Sequence, residues 1–262
     1  MMLQFRNISV AYGEGGPSLT GFTLDVAAGE IVALVGESGS GKTTAIRTAI
    51  GLLPGGGEVV DGDILFNGKS LLTLSPDEWQ SLRGRQMSMI FQDSGAMLNP
   101  IRRIGSQFVE YIRAHRSVQK QEAWEMGRVM LERMGLPHSE TIMNSYTFQL
   151  SGGMRQRVGI AMAMVFQPRI LLADEPTSAL DVTTQSQIIR QMLELREKYG
   201  TAILLVTHNL GVAAYMADRI IVMKDGRIVE QGTRERLLQQ PAASYTRDLL
   251  EAVPSMRGER YV

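Results

Sequence analysis

The stretch Gly36-Glu37-Ser38-Gly39-Ser40-Gly41-Lys42-Thr43 decides how this chain is read. It fits G-x-x-x-x-G-K-[ST], the pattern of a phosphate-binding loop, and it sits where that loop needs to be, between a strand and a helix. Ile31-Val32-Ala33-Leu34-Val35 is an unbroken apolar run of strand length, as expected of a strand buried on both faces of a parallel sheet. From Thr43 to about Leu52, polar and apolar residues recur at helical spacing. Glycines let the backbone fold back so that successive N–H groups point at an anion, and the helix behind adds its positive N-terminal end. Lys42 can then reach β- and γ-phosphates, and Thr43 can offer a hydroxyl to Mg²⁺. A Gly-rich turn could match the letters by chance, but chance does not supply the flanking strand and helix. The motif implies a nucleoside triphosphate site.

A length of 262 residues allows one large domain, or one with a sizeable insertion. Lys plus Arg equals Asp plus Glu at 27 each, so net charge offers no footprint for nucleic acid. There is no cysteine, which excludes disulfides, thiolate metal sites and cysteine-ligated iron–sulfur clusters. The first residues carry no secretory h-region and no apolar run reaches spanning length. The expectation is a soluble chain whose contact with a membrane comes through a partner.

Leu3 to Val10 and Leu19 to Val26 alternate as half-buried strands, separated by Gly13-Glu14-Gly15-Gly16-Pro17. Strand patterns follow at Gly62 to Phe66 and Met87 to Phe91. Between about Asn99 and Phe166 the pattern is helical, with Ile101, Ile104, Phe108 and Ile112 on one expected core face. Trp124, Val129, Leu131 and Met134 populate a second helix. Strands return at Ile170 to Ala173 and Ala202 to Val206, separated by a helix carrying Ile188, Ile189, Met192 and Leu193, with a solvated charged face from Arg190 to Lys198. Two last strands, Ile220 to Met223 and Arg227 to Glu230, precede a polar helical tail. The fold class is α/β: a parallel core, an antiparallel N-terminal β layer, and an inserted helical subdomain near residues 95–165.

Ile170-Leu171-Leu172-Ala173-Asp174-Glu175 places two carboxylates at the C-terminal edge of a buried strand, where ligands bind in open α/β sheets. Asp174 can hold Mg²⁺ and Glu175 can polarise an attacking water. Taken alone, Asp-Glu-Pro would more often start a surface turn. Leu150-Ser151-Gly152-Gly153-Met154, followed by Arg155-Gln156-Arg157, offers a good N-cap and glycines that let an anion approach a helix start. A capped helix after a Gly-Gly turn would read the same way.

In this order, these parts resemble the nucleotide-binding subunit of an ATP-binding cassette (ABC) transporter across nearly the whole chain. The resemblance implies a P-loop NTPase (RecA-like) core in the ABC ATPase fold, spanning residues 1–253 with a short tail at 254–262. It implies ATP contacts from Tyr12, stacking on adenine, and from Gly36, Ser38, Gly39, Gly41, Lys42, Thr43 and Thr44. Mg²⁺ falls to Thr43, Gln92 and Asp174, and catalysis to Glu175 as base with His208 and Gln92. Ser151, Gly152, Gly153 and Gln156 form the signature acting on an opposing subunit's nucleotide. Ser178-Ala179-Leu180-Asp181 is the D-loop. Without the resemblance, Tyr12 would be an ordinary turn tyrosine, Gln92 a solvated strand end and His208 a satisfied loop histidine.

Phe91-Gln92-Asp93 with Met97-Leu98-Asn99-Pro100 resembles the F-Q-D-P-x-x-x-L-N-P segment of oligopeptide, dipeptide and nickel importers, with Ser94 in place of proline. Ala243 to Leu250 resembles that subfamily's H-P-Y-T-x-x-L-L, with Ala243-Ser244 for His-Pro. Many peptide-importing members carry a cysteine cluster after this segment. Its absence here, with so little sequence after Leu250, makes nickel or a metal chelate the expected cargo, with di- or oligopeptides as the alternative. The implied partners are a second homologous ATPase subunit as a heterodimer, two membrane permeases received around Met97 to Gln107, and, indirectly, an extracytoplasmic solute-binding protein. The implied place is the cytoplasmic face of the cell membrane, with no nucleic acid. Two readings from other classes are weaker. A soluble ABC ATPase of repair or translation would carry two cassettes or a long coiled coil, and a non-hydrolysing regulatory module would lack Glu175.

Overall fold

Alternation in the first quarter of the chain becomes an antiparallel sheet, seen here in a computed structural model that describes residues 1–13, 16–95, 97–178 and 180–252. Strands β1 (Leu3–Tyr12) and β2 (Leu19–Val26) send alternate side chains inward, and β3 (Ile31–Val35) is buried throughout. Helix α1 (Lys42–Ala49), β4 (Gly57–Phe66) and the short β5 (Lys69–Ser70) follow. The middle of the chain forms α2 (Pro76–Leu82), β6 (Met87–Ile90), α3 (Ile104–His115), α4 (Lys120–Arg133) and α5 (Ser139–Asn144). A 3₁₀ turn at Thr147–Gln149 leads into α6 (Gly152–Met164), β7 (Ile170–Asp174) and α7 (Val182–Tyr199). The chain then runs through β8 (Ala202–Val206), α8 (Leu210–Met216), β9 (Arg219–Lys224), β10 (Arg227–Thr233), α9 (Arg234–Gln239) and α10 (Ser244–Glu251). Among the described residues, no helix is long and apolar enough to cross a membrane.

These elements form two compact units, one of Met1–Leu74 with the chain from Ala202 onward, the other of Ser75–Thr201. In the first, β1 lies between β2 and β4, antiparallel to both, and Phe5 packs edge-on against Phe22 at 5.1 Å. Strand β3 is parallel to both β8 and β9, with Val32 opposite Leu204 on one side and Arg219 on the other. Strand β10 returns antiparallel to β9 through the tight turn Asp225-Gly226, both residues at positive φ. In the second unit, β6 and β7 pair in parallel, Met87 opposite Ile170. The helices α3 to α6 of the expected helical stretch all belong to this unit. The tail at 254–262 lies outside the described residues.

One helical expectation needs correcting. Ile101 is not part of the core stripe: it is 82% exposed, and α3 begins three residues later. Pro100 disfavours helical geometry at the preceding residue. Asn99 and Arg102 are instead tied into a turn by Gln107, whose Oε1 accepts from Asn99 N at 2.8 Å and whose Nε2 donates to the Asn99 and Arg102 carbonyls. Ile104, Phe108 and Ile112 are fully buried, as read. In α4 the inward face is Ala123, Gly127, Met130 and Leu131, continued by Met134, while Trp124 and Val129 are half-buried. Two short helices were not anticipated. Helix α2 is set by a capping box between Ser75 and Glu78 with Pro76 at its first position, and α8 is capped by Asn209.

Removing side-chain volume should separate the two isoleucines. Ile104→Ala should cost about 2–5 kcal/mol of unfolding free energy, and Ile101→Ser no more than about 0.5 kcal/mol. Denaturant titration of both variants measures the difference; equal losses would put Ile101 back in the core.

Candidate active site

The phosphate loop is built around one ammonium group. Lys42 is buried, and its Nζ donates to the carbonyls of Gly36 at 2.9 Å and Glu37 at 2.6 Å and to Ser40 Oγ at 3.1 Å. Such a wrap requires unusual backbone. Gly36, at φ +147°, passes so close to β9 that a β-carbon there would lie 2.1 Å from the Met223 carbonyl oxygen. The β9–β10 turn braces the loop from the same side, with Gly226 N donating to the Ser40 carbonyl at 3.2 Å. Glu37, Ser38 and Gly39 are exposed, while Thr43 and Thr44 open α1 and are half-buried. A cation seated inside a loop of exposed backbone at a helix N-terminus fits a polyphosphate.

Two further candidates lie in the same unit. Strand β8 runs parallel beside β3, Leu34 opposite Val206, so His208 emerges at the sheet edge from which the phosphate loop leaves. Its side chain is exposed, between Thr207, whose Oγ1 accepts from Asn209 N, and Asn209, which caps α8. Tyr12 is a strand residue, not a turn residue. It closes β1 opposite Gly57, and its ring lies over that glycine's backbone, where a β-carbon would come within 2.4 Å.

The acidic half is held within the second unit. Asp174 ends β7 and is 2% exposed. Glu175 follows at φ +46°, a left-handed conformation that costs a non-glycine residue about 1–3 kcal/mol. Its carbonyl accepts from both the N–H and the hydroxyl of Ser178, which hold the bend. Gln92 Nε2 lies 3.5 Å from the Glu175 carboxylate, so the two side chains converge. Ser94, the departure from proline, is buried, donates to the Phe91 carbonyl at 3.0 Å and packs its β-carbon against Gly159 of α6. A hydroxyl bond thus makes the turn that a proline ring would otherwise impose.

Ser151 caps α6 by accepting from Met154 N, and Ser151 and Gly152 are exposed. Gly153 abuts Thr184 of α7, whose Cγ2 would lie 2.6 Å from a β-carbon. Gln156 departs from the expected role beside them. It is buried, and its Nε2 donates to the Pro176 carbonyl at 2.6 Å within the same chain. It braces the turn after Glu175 and does not face outward. Asp181 caps α7, accepting from Thr184 N at 2.9 Å and Thr184 Oγ1 at 2.7 Å. Those bonds hold its carboxyl below the usual range. Ala179 of the expected D-loop lies outside the described residues.

Residues 19–178 match the ABC transporter family. The chain belongs to that family. It is 41% identical over 259 residues to the dipeptide transport ATP-binding protein DppD of Lactococcus lactis subsp. cremoris, covering 97% of this chain and 74% of that protein. It is 43% identical over 244 residues to the oligopeptide transport ATP-binding protein AppD of Bacillus subtilis, covering 93% and 74%. Among solved structures it is similar to the dimeric cassette MJ0796 in a post-hydrolysis state with ADP and Pi. That match has a TM-score of 0.79 and 29% identity, and covers 89% of this chain and 99% of the other. It is also similar to cbiO1 of Clostridium perfringens, part of the transporter complex cbiONQ, at TM-score 0.79 and 27% identity over 91% of each chain. An ABC cassette binds and hydrolyses ATP, and this one is the ATP-binding part of an ABC transporter.

Sequence reading missed three residues of the cassette. Ser40 is an unspecified position of the loop pattern, yet it supplies the third acceptor to Lys42. Ser178 was visible only as part of a motif, and its hold on Glu175 needs the fold. Tyr245 carried a subfamily match without a role, and its hydroxyl accepts from Glu37 N.

Gln156 separates a contact within one chain from a contact across two. Gln156→Met keeps the volume but leaves the Pro176 carbonyl unpaired, so the isolated chain should lose about 1–3 kcal/mol of stability without any nucleotide. Unchanged chemical unfolding of that variant would return Gln156 to an outward-facing role.

Proposed function

We propose that this cassette powers import of di- or oligopeptides. The observation that carries the cargo is the similarity, over more than nine-tenths of the chain, to dipeptide and oligopeptide transport ATP-binding proteins. This sets aside the nickel expectation, which rested on missing cysteines and on little sequence after Leu250. Neither feature touches a cargo.

The chemistry assigned to the residues is ATP hydrolysis. Lys42 and the loop amides from Ser38 to Thr44 hold the phosphates, and Tyr12 stacks on the base. Glu175 takes the proton of the attacking water as its oxygen bonds to the γ-phosphorus and the bond to ADP breaks. Gln92, converging on the Glu175 carboxylate, orients that water, and His208 contacts the γ-phosphate. Among the described residues, no group of three or more His, Asp or Glu could hold a metal unaided. Mg²⁺ is bound through one or two carboxylates together with substrate phosphates, and the buried Asp174 at the end of β7 offers one. Thr43, Asp174 and Gln92 are the residues that would hold it, and the ion would supply neutralisation of the phosphate charge.

Ser151, Gly152 and Gly153 serve a nucleotide held by a second cassette. An exposed, capped helix N-terminus supplies the charge stabilisation needed there. The second cassette is a homologous ATPase subunit, and the pair drives two permeases at the cytoplasmic face of the membrane, with a solute-binding protein delivering cargo outside. Exposed Met97 and Ile101 suit the permease contact.

Glu175→Gln keeps size and hydrogen bonding but removes the base, so turnover should fall about 10²–10⁴-fold while ATP still binds. Wild-type turnover in a purified assembly would end the assignment. For the cargo, the reconstituted transporter should be stimulated by binding protein loaded with peptide. Stimulation by a nickel-loaded binding protein alone would reverse the choice.

A further inference from the structure

Helix α10 reaches back to the phosphate loop. The N–H of Glu37 donates to the Tyr245 hydroxyl at 3.2 Å. That N–H belongs to the same peptide as the Gly36 carbonyl, which accepts from the Lys42 ammonium at 2.9 Å. One peptide plane is therefore held at both ends, by Lys42 on its oxygen and by Tyr245 on its nitrogen. The next carbonyl, that of Glu37, also takes Lys42. Rotating the plane would break both bonds and displace acceptors that seat the ammonium.

Tyr245 is itself fixed by contacts outside the loop. Lys224 Nζ lies 4.7 Å from its ring centroid, in cation–π range. The entry to α10 is clamped by Glu230 of β10, whose carboxylate accepts from Ala242 N at 2.8 Å and Ala243 N at 3.0 Å. Burial opposes ionisation of Glu230, but the Thr246 side chain, the two amides and the charge of Arg236 outweigh it and keep the carboxyl below its ordinary range. Arg247 adds bonds to the Pro241 and Ala242 carbonyls. The helix is thus oriented by β10 and by its own entry turn, and Tyr245 carries that orientation to the loop.

We propose that Tyr245 is a positioning residue for ATP binding: its phenol oxygen holds the Gly36–Glu37 peptide in the orientation that seats Lys42 for the β- and γ-phosphates. The inference rests on the ATP-binding assignment of the loop and not on the cargo. A helix late in the chain, distant in sequence from every nucleotide motif, thereby sets the affinity of the phosphate loop.

The test uses the full chain with Mg·ATP. Tyr245→Phe keeps the ring and its contact with Lys224 but removes the oxygen, and calorimetry should show the Kd for ATP rising about three- to tenfold. In the assembled transporter KM for ATP should rise in parallel while kcat stays within about twofold, and the melting temperature without nucleotide should stay within about 2 °C. Lys224→Met removes the cation and leaves the oxygen, so its Kd should stay within about twofold. Wild-type affinity in Tyr245→Phe would overturn the proposal. So would a parallel loss of melting temperature and ATP affinity in both variants, which would make the contact one of packing alone. Failure of the unsubstituted chain to bind ATP would instead overturn the assignment of the loop.

Discussion

The seat of Lys42 is the constraint on which the nucleotide-binding unit depends. A buried ammonium must satisfy its donors or neutralise, and here two carbonyls and a hydroxyl of its own loop do so. To turn those carbonyls inward the backbone must take conformations open to glycine, and to support that backbone the surrounding elements must come close. Met223 of β9 leaves no room for a side chain at Gly36, and the Asp225-Gly226 turn bonds to Ser40. The hairpin, the parallel β3–β8 pair and α10 all converge on this loop, so features that look like ordinary fold elements fix one cation.

The second unit solves a different problem, that of holding a carboxylate in a strained place. Glu175 turns out of β7 at positive φ, and the strain persists because the bend is over-determined. Ser178 bonds its carbonyl twice, and Gln156 fastens the following Pro176 to α6. Helix α6 is packed in turn against Thr184 through Gly153 and against Ser94 through Gly159. Helix α6, Glu175 and the segment carrying Gln92 are therefore tied into one body.

Cargo stands apart from this physics. Nothing in the loop, the carboxylates or the signature distinguishes a peptide from a metal ion, because the roles proposed for those groups concern phosphate and water. Composition arguments about missing cysteines speak to cluster ligation alone. The peptide reading comes from similarity extending along the whole cassette, in which the catalytic motifs are only a small part.

Much of the architecture was legible from the sequence, because it is written in local rules. An apolar run such as Ile31–Val35 reads as a buried strand beside the loop, and Ser151 before a helix announces a cap. Motif spacing named the loop that wraps Lys42, because the backbone geometry it requires is set within a few positions. What the sequence did not determine was every contact between distant positions. Periodicity put Ile101 in a stripe that Pro100 and Gln107 exclude. Family position put Gln156 at an outward face, although its amide is buried on Pro176. Tyr245 lies more than two hundred residues from the amide that it receives. Ile101 was misplaced by a local rule that periodicity overlooks, the proline before it. For Gln156 and Tyr245 the partner is chosen by the packed fold, in which separation along the chain has no bearing on distance, so only the tertiary structure could decide those two.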